Sequence, residues 1–312
     1  MAKPNILFVD DEIRVVRSLK MLFASKSKFE VYTATSGAEA LSMIKEMPIH
    51  VVVSDQRMPV ITGVNLLHEI KKISPNTIGM LLTGYADLDA IVASINEGEV
   101  YRYITKPWQN QELLEKVSGA MDIAMRLFAA DTMPTISKPV NENDEKQGIL
   151  VLHPKFDDSA ALLVNKLFGD GYSIYSANNI NIAIELLQKE DISVVVTDIG
   201  KNDYNCATLI KSLKKAYPLV LSVVVTDGAD ANVAISLINQ GQVYRYLPKP
   251  IQTGRLKLSI SSALGYHNKC KINPVQLVRH QVDAITAREE IDFDKTFKSR
   301  LSMLKNLFMA RV

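Results

Sequence analysis

The chain is poor in cysteine, with only Cys206 and Cys270 in 312 residues. That excludes a disulfide framework and leaves no thiolate set for a structural metal. No apolar run approaches the roughly 18 residues of a membrane span. The start, Met1-Ala2-Lys3-Pro4-Asn5, runs straight into an apolar stretch and lacks the core of a signal peptide, so a soluble cytoplasmic protein is expected. Neither sign of charge is in excess. A net charge of +2 gives no electrostatic reason to expect binding to nucleic acid or a membrane. What is present is globular in character: 47% hydrophobic and 22% charged residues, over a length that suggests about two domains.

Apolar runs alternate with stretches of helical periodicity. Ile6-Leu7-Phe8-Val9 reads as a strand and ends on Asp10-Asp11-Glu12. Val31 to Ala34 reads as a second strand, and Ser36 with Glu39 forms a capping box for the helix that follows. Val51-Val52-Val53-Ser54 is a third strand, stopping on Asp55 before Gln56-Arg57-Met58-Pro59. Ile78 to Leu82 is a fourth, ending on Thr83-Gly84. A helix through Leu88, Ile91, Val92 and Ile95 precedes the fifth, Val100 to Ile104, which ends on Thr105-Lys106-Pro107. A last helix covers about Gln109 to Ala130. Strict alternation of this kind implies a parallel sheet with helices on both faces, an α/β fold.

Residues 131–147 turn polar and proline-containing and read as a linker. The pattern then repeats. Asp198, Thr226 and Lys249-Pro250 lie 143 positions after Asp55, Thr83 and Lys106-Pro107, and Val243-Tyr244-Arg245-Tyr246 matches Val100-Tyr101-Arg102-Tyr103 at the same offset. A constant offset over a whole domain means two copies of one fold. The expected organisation is a first domain over 1–130, the linker, a second domain over 148–267 and a helical tail over 268–312.

The chemistry collects at the strand ends of the first copy. In open parallel sheets the carboxyl edge is where ligands bind. There Asp10, Asp11 and Asp55 form an acidic trio with the hard oxygens that Mg²⁺ prefers. Thr83 adds a hydroxyl and Lys106 an ammonium. Thr-Gly and Lys-Pro alone are ordinary turn dipeptides. Their joint occurrence at successive strand ends points to a carboxylate, Asp55, that accepts a phosphoryl group beside a divalent cation.

These residues, with Met58-Pro59, Gly63 and Tyr103, resemble a two-component response-regulator receiver domain. The runs Asp55-Gln56-Arg57-Met58-Pro59 and Arg102-Tyr103-Ile104-Thr105-Lys106-Pro107-Trp108 are similar to receivers attached to HD-GYP phosphodiesterases and to hydrogenase regulators. The resemblance implies a flavodoxin-like fold with strand order 2-1-3-4-5. It also implies Mg²⁺ held by Asp10, Asp11 and Asp55, and phosphotransfer to Asp55 from a histidine kinase or phosphotransfer protein. Thr83 and Tyr103 would then act as a switch: the phosphoryl group draws the Thr83 hydroxyl inward and Tyr103 rotates into the vacated space.

The second copy departs from this pattern. Asp10 and Asp11 become His153 and Pro154, Met58-Pro59 becomes Lys201-Asn202, and Gly63 becomes Cys206, while Asp198, Thr226, Tyr246 and Lys249 remain. A lone Asp198 beside Lys249 is an ion pair rather than a Mg²⁺ site, so the second receiver is expected to be degenerate and to serve protein contact. Asp157 and Asp158 belong to the next helix. His153 is expected to be a surface or loop residue. The cysteines are read as inert thiols.

In the tail, Phe293, Phe297, Leu301, Leu304 and Phe308 form one helical stripe, and Thr286 to Glu289 suit a capping box. The expectation is a phosphoacceptor rather than an enzyme, signalling to a protein partner, with homodimerisation open. Two alternatives are a phosphorylation-independent adaptor and the front part of a larger regulator.

Overall fold

A computed structural model describes residues 3–25, 28–84, 100–131, 146–153, 159–199, 213–226 and 243–273, with the single positions 210, 235 and 239. The chain divides into two compact units, Met1–Ile136 and Ser137–Val312.

The first unit is a five-stranded parallel sheet in the order β2-β1-β3-β4-β5. The strands are β1 (Asn5–Val9), β2 (Glu30–Ala34), β3 (Val51–Asp55), β4 (Ile78–Thr83) and β5 (Val100–Thr105), with helices α1 (Ile13–Ala24), α2 (Gly37–Glu46), α3 (Gly63–Ile73) and α4 (Asn110–Asp131). β3 and β4 are buried at every position, because helices cover both faces of the sheet. Phe8 packs on Phe23 of α1, ring centroids 4.8 Å apart. Helix starts follow the polar signals. Ser36 Oγ accepts from the Glu39 amide and Thr62 Oγ1 from that of Asn65, satisfying first-turn donors. The Glu39 carboxylate reaches back to the Thr35 amide at 2.7 Å, one residue beyond the reach of a standard box.

The second unit repeats the topology. Its strands, β6 (Gly148–Leu152), β7 (Ser173–Ala177), β8 (Ile192–Ile199), β9 (Leu221–Thr226) and β10 (Arg245–Pro248), lie in the order β10-β9-β8-β6-β7, the same arrangement read from the other edge. Helices α5 (Ser159–Phe168) and α7 (Thr253–Ile272) share one cluster with Ile149, Val151, Val194 and Val196. Leu150, Leu152 and Val195 point to the other face, against Ala183 and Leu187 of α6 (Ile180–Lys189). The period of two along each strand thus fills two cores at once.

Polar side chains are buried in this unit as well. His153 is buried at the end of β6, not exposed in a loop, and its Nε2 lies 2.6 Å from Ser176 Oγ of β7. Its aromatic ring is accommodated because the neighbouring strand offers a hydroxyl. Helix α7 also runs on to Ile272, past the expected domain edge at 267, because Cys270 and His267 still face the core. The expected helix through Leu88 to Ile95, the linker from 132 to 145, Pro154, Asp157, Asp158, Cys206 and the whole stripe from Phe293 to Phe308 lie outside the described residues. Among the described residues no helix is long and apolar enough to cross a membrane.

Candidate functional site: a carboxylate–ammonium cluster at the sheet edge

The register of the first sheet assembles the site. Val9 pairs with Ser54, so Asp10 and Asp55 leave adjacent strands side by side. Thr83 pairs with Thr105, which sets Lys106 beside Thr83, and the Lys106 amide donates to the Thr83 carbonyl at 2.9 Å. The Lys106–Pro107 peptide is cis. From there the ammonium reaches across the edge. Lys106 Nζ lies 2.5 Å from Asp55 Oδ1 and 3.1 Å from Asp10 Oδ2.

Each carboxylate is held by the backbone as well. Asp10 Oδ1 accepts from the Glu12 amide at 2.9 Å, and Asp55 Oδ2 accepts from the Arg57 amide at 2.8 Å. Asp10 is fully buried, and burial pushes its carboxyl above the ordinary range, against the pull of the Glu12 amide and of Lys106. Lys106 is half-buried. Burial lowers its affinity for the proton, but hydrogen bonds and charge from Asp55 and Asp10 together outweigh that and hold it above the ordinary lysine value. Thr83 is buried, its hydroxyl donating to the Gly84 carbonyl at 3.1 Å.

Of the expected cation ligands, Asp10 and Asp55 are thus brought together and Asp11 is exposed at the rim. Among the described residues no three acidic, histidine or cysteine side chains are gathered as a ready ligand set. The donor chemistry nevertheless suits a hard divalent cation: two carboxylates already converge on one positive charge, with a third next to them in the chain. Tyr103 is completely buried. Tyr246 is completely buried too, and Thr226 nearly so. The side chain of Asp198 lies outside the described residues.

Three residues of the loop after β3 support the site. Gln56 is buried next to Asp55, and its Oε1 accepts from the Val64 amide at 3.2 Å, tying the loop to the first turn of α3. Arg57 contributes its amide, which donates to Asp55 Oδ2. Gly63 lies so close to β3 that a Cβ there would stand 2.2 Å from the Asp55 carbonyl oxygen.

The family profile of the response regulator receiver domain matches residues 6–118 and again 157–261. The chain belongs to the response regulator receiver family. The second match begins only after His153 and Pro154, past the strand end where the acidic pair is lost. Among curated proteins, the chain resembles the hydrogenase transcriptional regulatory protein HoxA of Bradyrhizobium diazoefficiens, 35% identical over 119 residues, which are 38% of this chain and 24% of that protein. It also resembles the regulatory protein AtoC of Escherichia coli, 34% identical over 119 residues, covering 38% of this chain and 25% of that one. The chain thus spans about a quarter of the length of these relatives. Among solved structures, the signal receiver domain of an HD domain-containing protein from Pseudomonas fluorescens is 32% identical, covering 43% of this chain and 96% of that one, with a TM-score of 0.39.

Proposed function

We propose that the chain is a phosphoacceptor of a two-component relay, taking a phosphoryl group on Asp55 from a histidine kinase or phosphotransfer protein and signalling to a protein partner. It is not read as an enzyme acting on a separate substrate. The observation that carries this reading is the single ammonium of Lys106 shared by Asp55 and Asp10, delivered from three different strands.

The chemistry follows from that geometry. An Asp55 carboxylate oxygen attacks the phosphorus of the donor. The phosphorus–nitrogen bond of the phosphohistidine breaks, its electron pair and a proton staying with the imidazole, and an acyl phosphate forms on Asp55. The Arg57 amide holds Oδ2, so that Oδ1 is the oxygen on the Lys106 side. Lys106 neutralises charge on the transferred oxygens, and the Thr83 hydroxyl, released from Gly84, donates to another. Asp10, Asp11 and Asp55 would hold Mg²⁺, which supplies further charge neutralisation. The signal would pass through Thr83 and Tyr103, the hydroxyl moving toward the phosphoryl group and the tyrosine following it.

Incubation with acetyl phosphate and Mg²⁺, read by intact-mass spectrometry, tests this. One phosphoryl group is expected on the chain, none on Asp55→Asn, and an unchanged level on Asp198→Asn. Full labelling of Asp55→Asn would remove the proposal, and the adaptor reading would take its place.

A further inference from the structure

The second receiver carries, at the edge where the first gathers carboxylates, a small cavity of opposite character. It measures about 140 Å³, lies where β10 enters α7, and is lined by Lys249 and Arg255 with Leu247, Pro248, Pro250 and Ile251. We infer that this cavity binds a tetrahedral phosphate-type oxyanion, without covalent chemistry. The inference goes beyond the reading of Asp55 and does not depend on it.

The two copies carry different charges at matching positions. In sequence, the first copy has Asp10, Asp11, Asp55 and Glu112 with Lys106. The matching positions of the second copy hold His153, Pro154, Asp198 and Arg255 with Lys249. Four carboxylates become one, and a guanidinium is added. Asp198 and Lys249 offset each other in formal charge, so Arg255 is the surplus.

The local partners differ in the same sense. Glu112 is neutralised by Lys116 one turn on, at 2.6 Å. The position one turn on from Arg255 is Ser259, and Arg255 has no ion pair among the described residues. His153 also differs from the aspartate it replaces, since its Nε2 is engaged sideways with Ser176 and it brings no negative charge to repel an anion. A guanidinium matches an oxyanion with two parallel donors, and an apolar wall raises the strength of that pairing relative to open water. The volume suits one phosphate group and little more, which argues against a nucleotide.

The test uses the full chain carrying Asp55→Asn, in EDTA, so that Mg²⁺-dependent chemistry at the first site is absent. Inorganic phosphate is titrated calorimetrically at constant ionic strength, with sulfate as competitor. Saturable binding at one site, displaced by sulfate, is expected. Arg255→Glu, which restores the acidic type of the first copy, should weaken it by about tenfold or more, the equivalent of losing one charge-assisted contact. Arg255 is exposed, so the substitution spares the core. Arg255→Lys, which keeps the charge but loses the fork, should fall between. A phosphoserine peptide titrated in parallel separates the sources: tighter binding than inorganic phosphate assigns the site to a phosphorylated side chain, equal or weaker binding to the free ion. Absence of saturable binding by either probe, or equal affinity in Arg255→Glu, overturns the inference.

Discussion

The two receivers share a scaffold and differ in chemistry. Both sheets have the same strand order, both bury the tyrosine of the fifth strand completely, and both end that strand in a cis Lys-Pro peptide. Each also lays an arginine over the tyrosine before it, Arg102 at 4.3 Å from the Tyr101 ring and Arg245 at 4.1 Å from that of Tyr244. Yet in the first copy the ends of β1 and β3 meet at Lys106, while in the second the end of β6 turns to Ser176. The difference shows that the fold does not need the acidic pair. Strand interiors specify the sheet, and strand ends are free to diverge because they add little to either core. A buried Asp10 whose carboxyl is pushed up is a cost to the first copy that the second has shed.

The largest expected effect comes from the loop after the third strand. The first copy needs glycine at position 63, where a Cβ would collide with the Asp55 carbonyl oxygen, yet the second copy holds Cys206 at the matching position. Backbone is the obstacle, so no rotamer change relieves it. Gly63→Ala should destabilise the first unit by about 2–4 kcal/mol. Trp108 is the sole tryptophan of the chain and belongs to that unit, so urea unfolding followed by its fluorescence reads the change without interference. An unchanged midpoint would mean that the two copies differ less in this loop than their residues suggest.

How much of this could be read beforehand depends on the kind of residue. The strands were legible because β-branched runs such as Val51 to Val53 end abruptly in polar residues, and the 143-residue offset fixed the second sheet from the first. Asp10, Asp55, Thr83 and Lys106 were legible because they follow those runs directly. The engagement of Lys106 by both carboxylates was not, since motif spacing says nothing of which counter-charge a carboxylate takes. His153 was read as exposed because histidine in isolation usually is, and only the hydroxyl of Ser176 on the next strand reverses that. At the opposite end of the second sheet the offset carries a signal too: Ala124 and Leu127 of α4 become His267 and Cys270 of α7. Polar residues on the core face of a helix ask for partners.

Those partners make the second comparison. Lys71 of the first unit donates to the Pro75 carbonyl at 2.7 Å from a half-buried position. Its counterpart Lys214 is almost fully buried and donates to both Pro218 and Val220, at 2.6 and 3.0 Å, while His267 Nδ1 lies 3.0 Å from the Leu219 carbonyl between them. Burial drives the Lys214 amine down from 10.5 to about 7, with nearby Cys270 opposing. The two carbonyls favour the charged amine and pull the same way as Cys270. In the unfolded chain the amine stays protonated to its ordinary value, so above pH 7 the unfolded state binds more protons and stability rises with pH. Between pH 7 and 9 the second unit should gain about 1–2 kcal/mol, a gain that Lys214→Met removes. Cys270, buried when folded, supplies the readout: the urea dependence of its labelling by a thiol reagent gives the midpoint at each pH. A wild-type midpoint that is flat over this window would place Lys214 with Lys71 as an ordinary surface-type lysine.

The smallest effect concerns strain at one exposed position. Val60 follows Pro59 in the loop between Asp55 and α3, has φ of 72°, and projects fully into solvent. A β-branched residue in the left-handed region crowds its own backbone, and nothing packs against this side chain to compensate. The second copy has Asp203 at the matching position, a residue whose short polar side chain tolerates that conformation better. Transplanting that choice, Val60→Asp or Val60→Asn should stabilise the first unit by about 0.5–1 kcal/mol in the Trp108 unfolding assay. Val60→Gly should gain less than the removed strain, since glycine also frees the unfolded chain. If the strain serves to hold the loop that carries Asp55, the asparagine variant will be more stable and yet slower to take label from acetyl phosphate. If both quantities improve together, the valine is a remnant of sequence drift on a surface where a kilocalorie goes unselected.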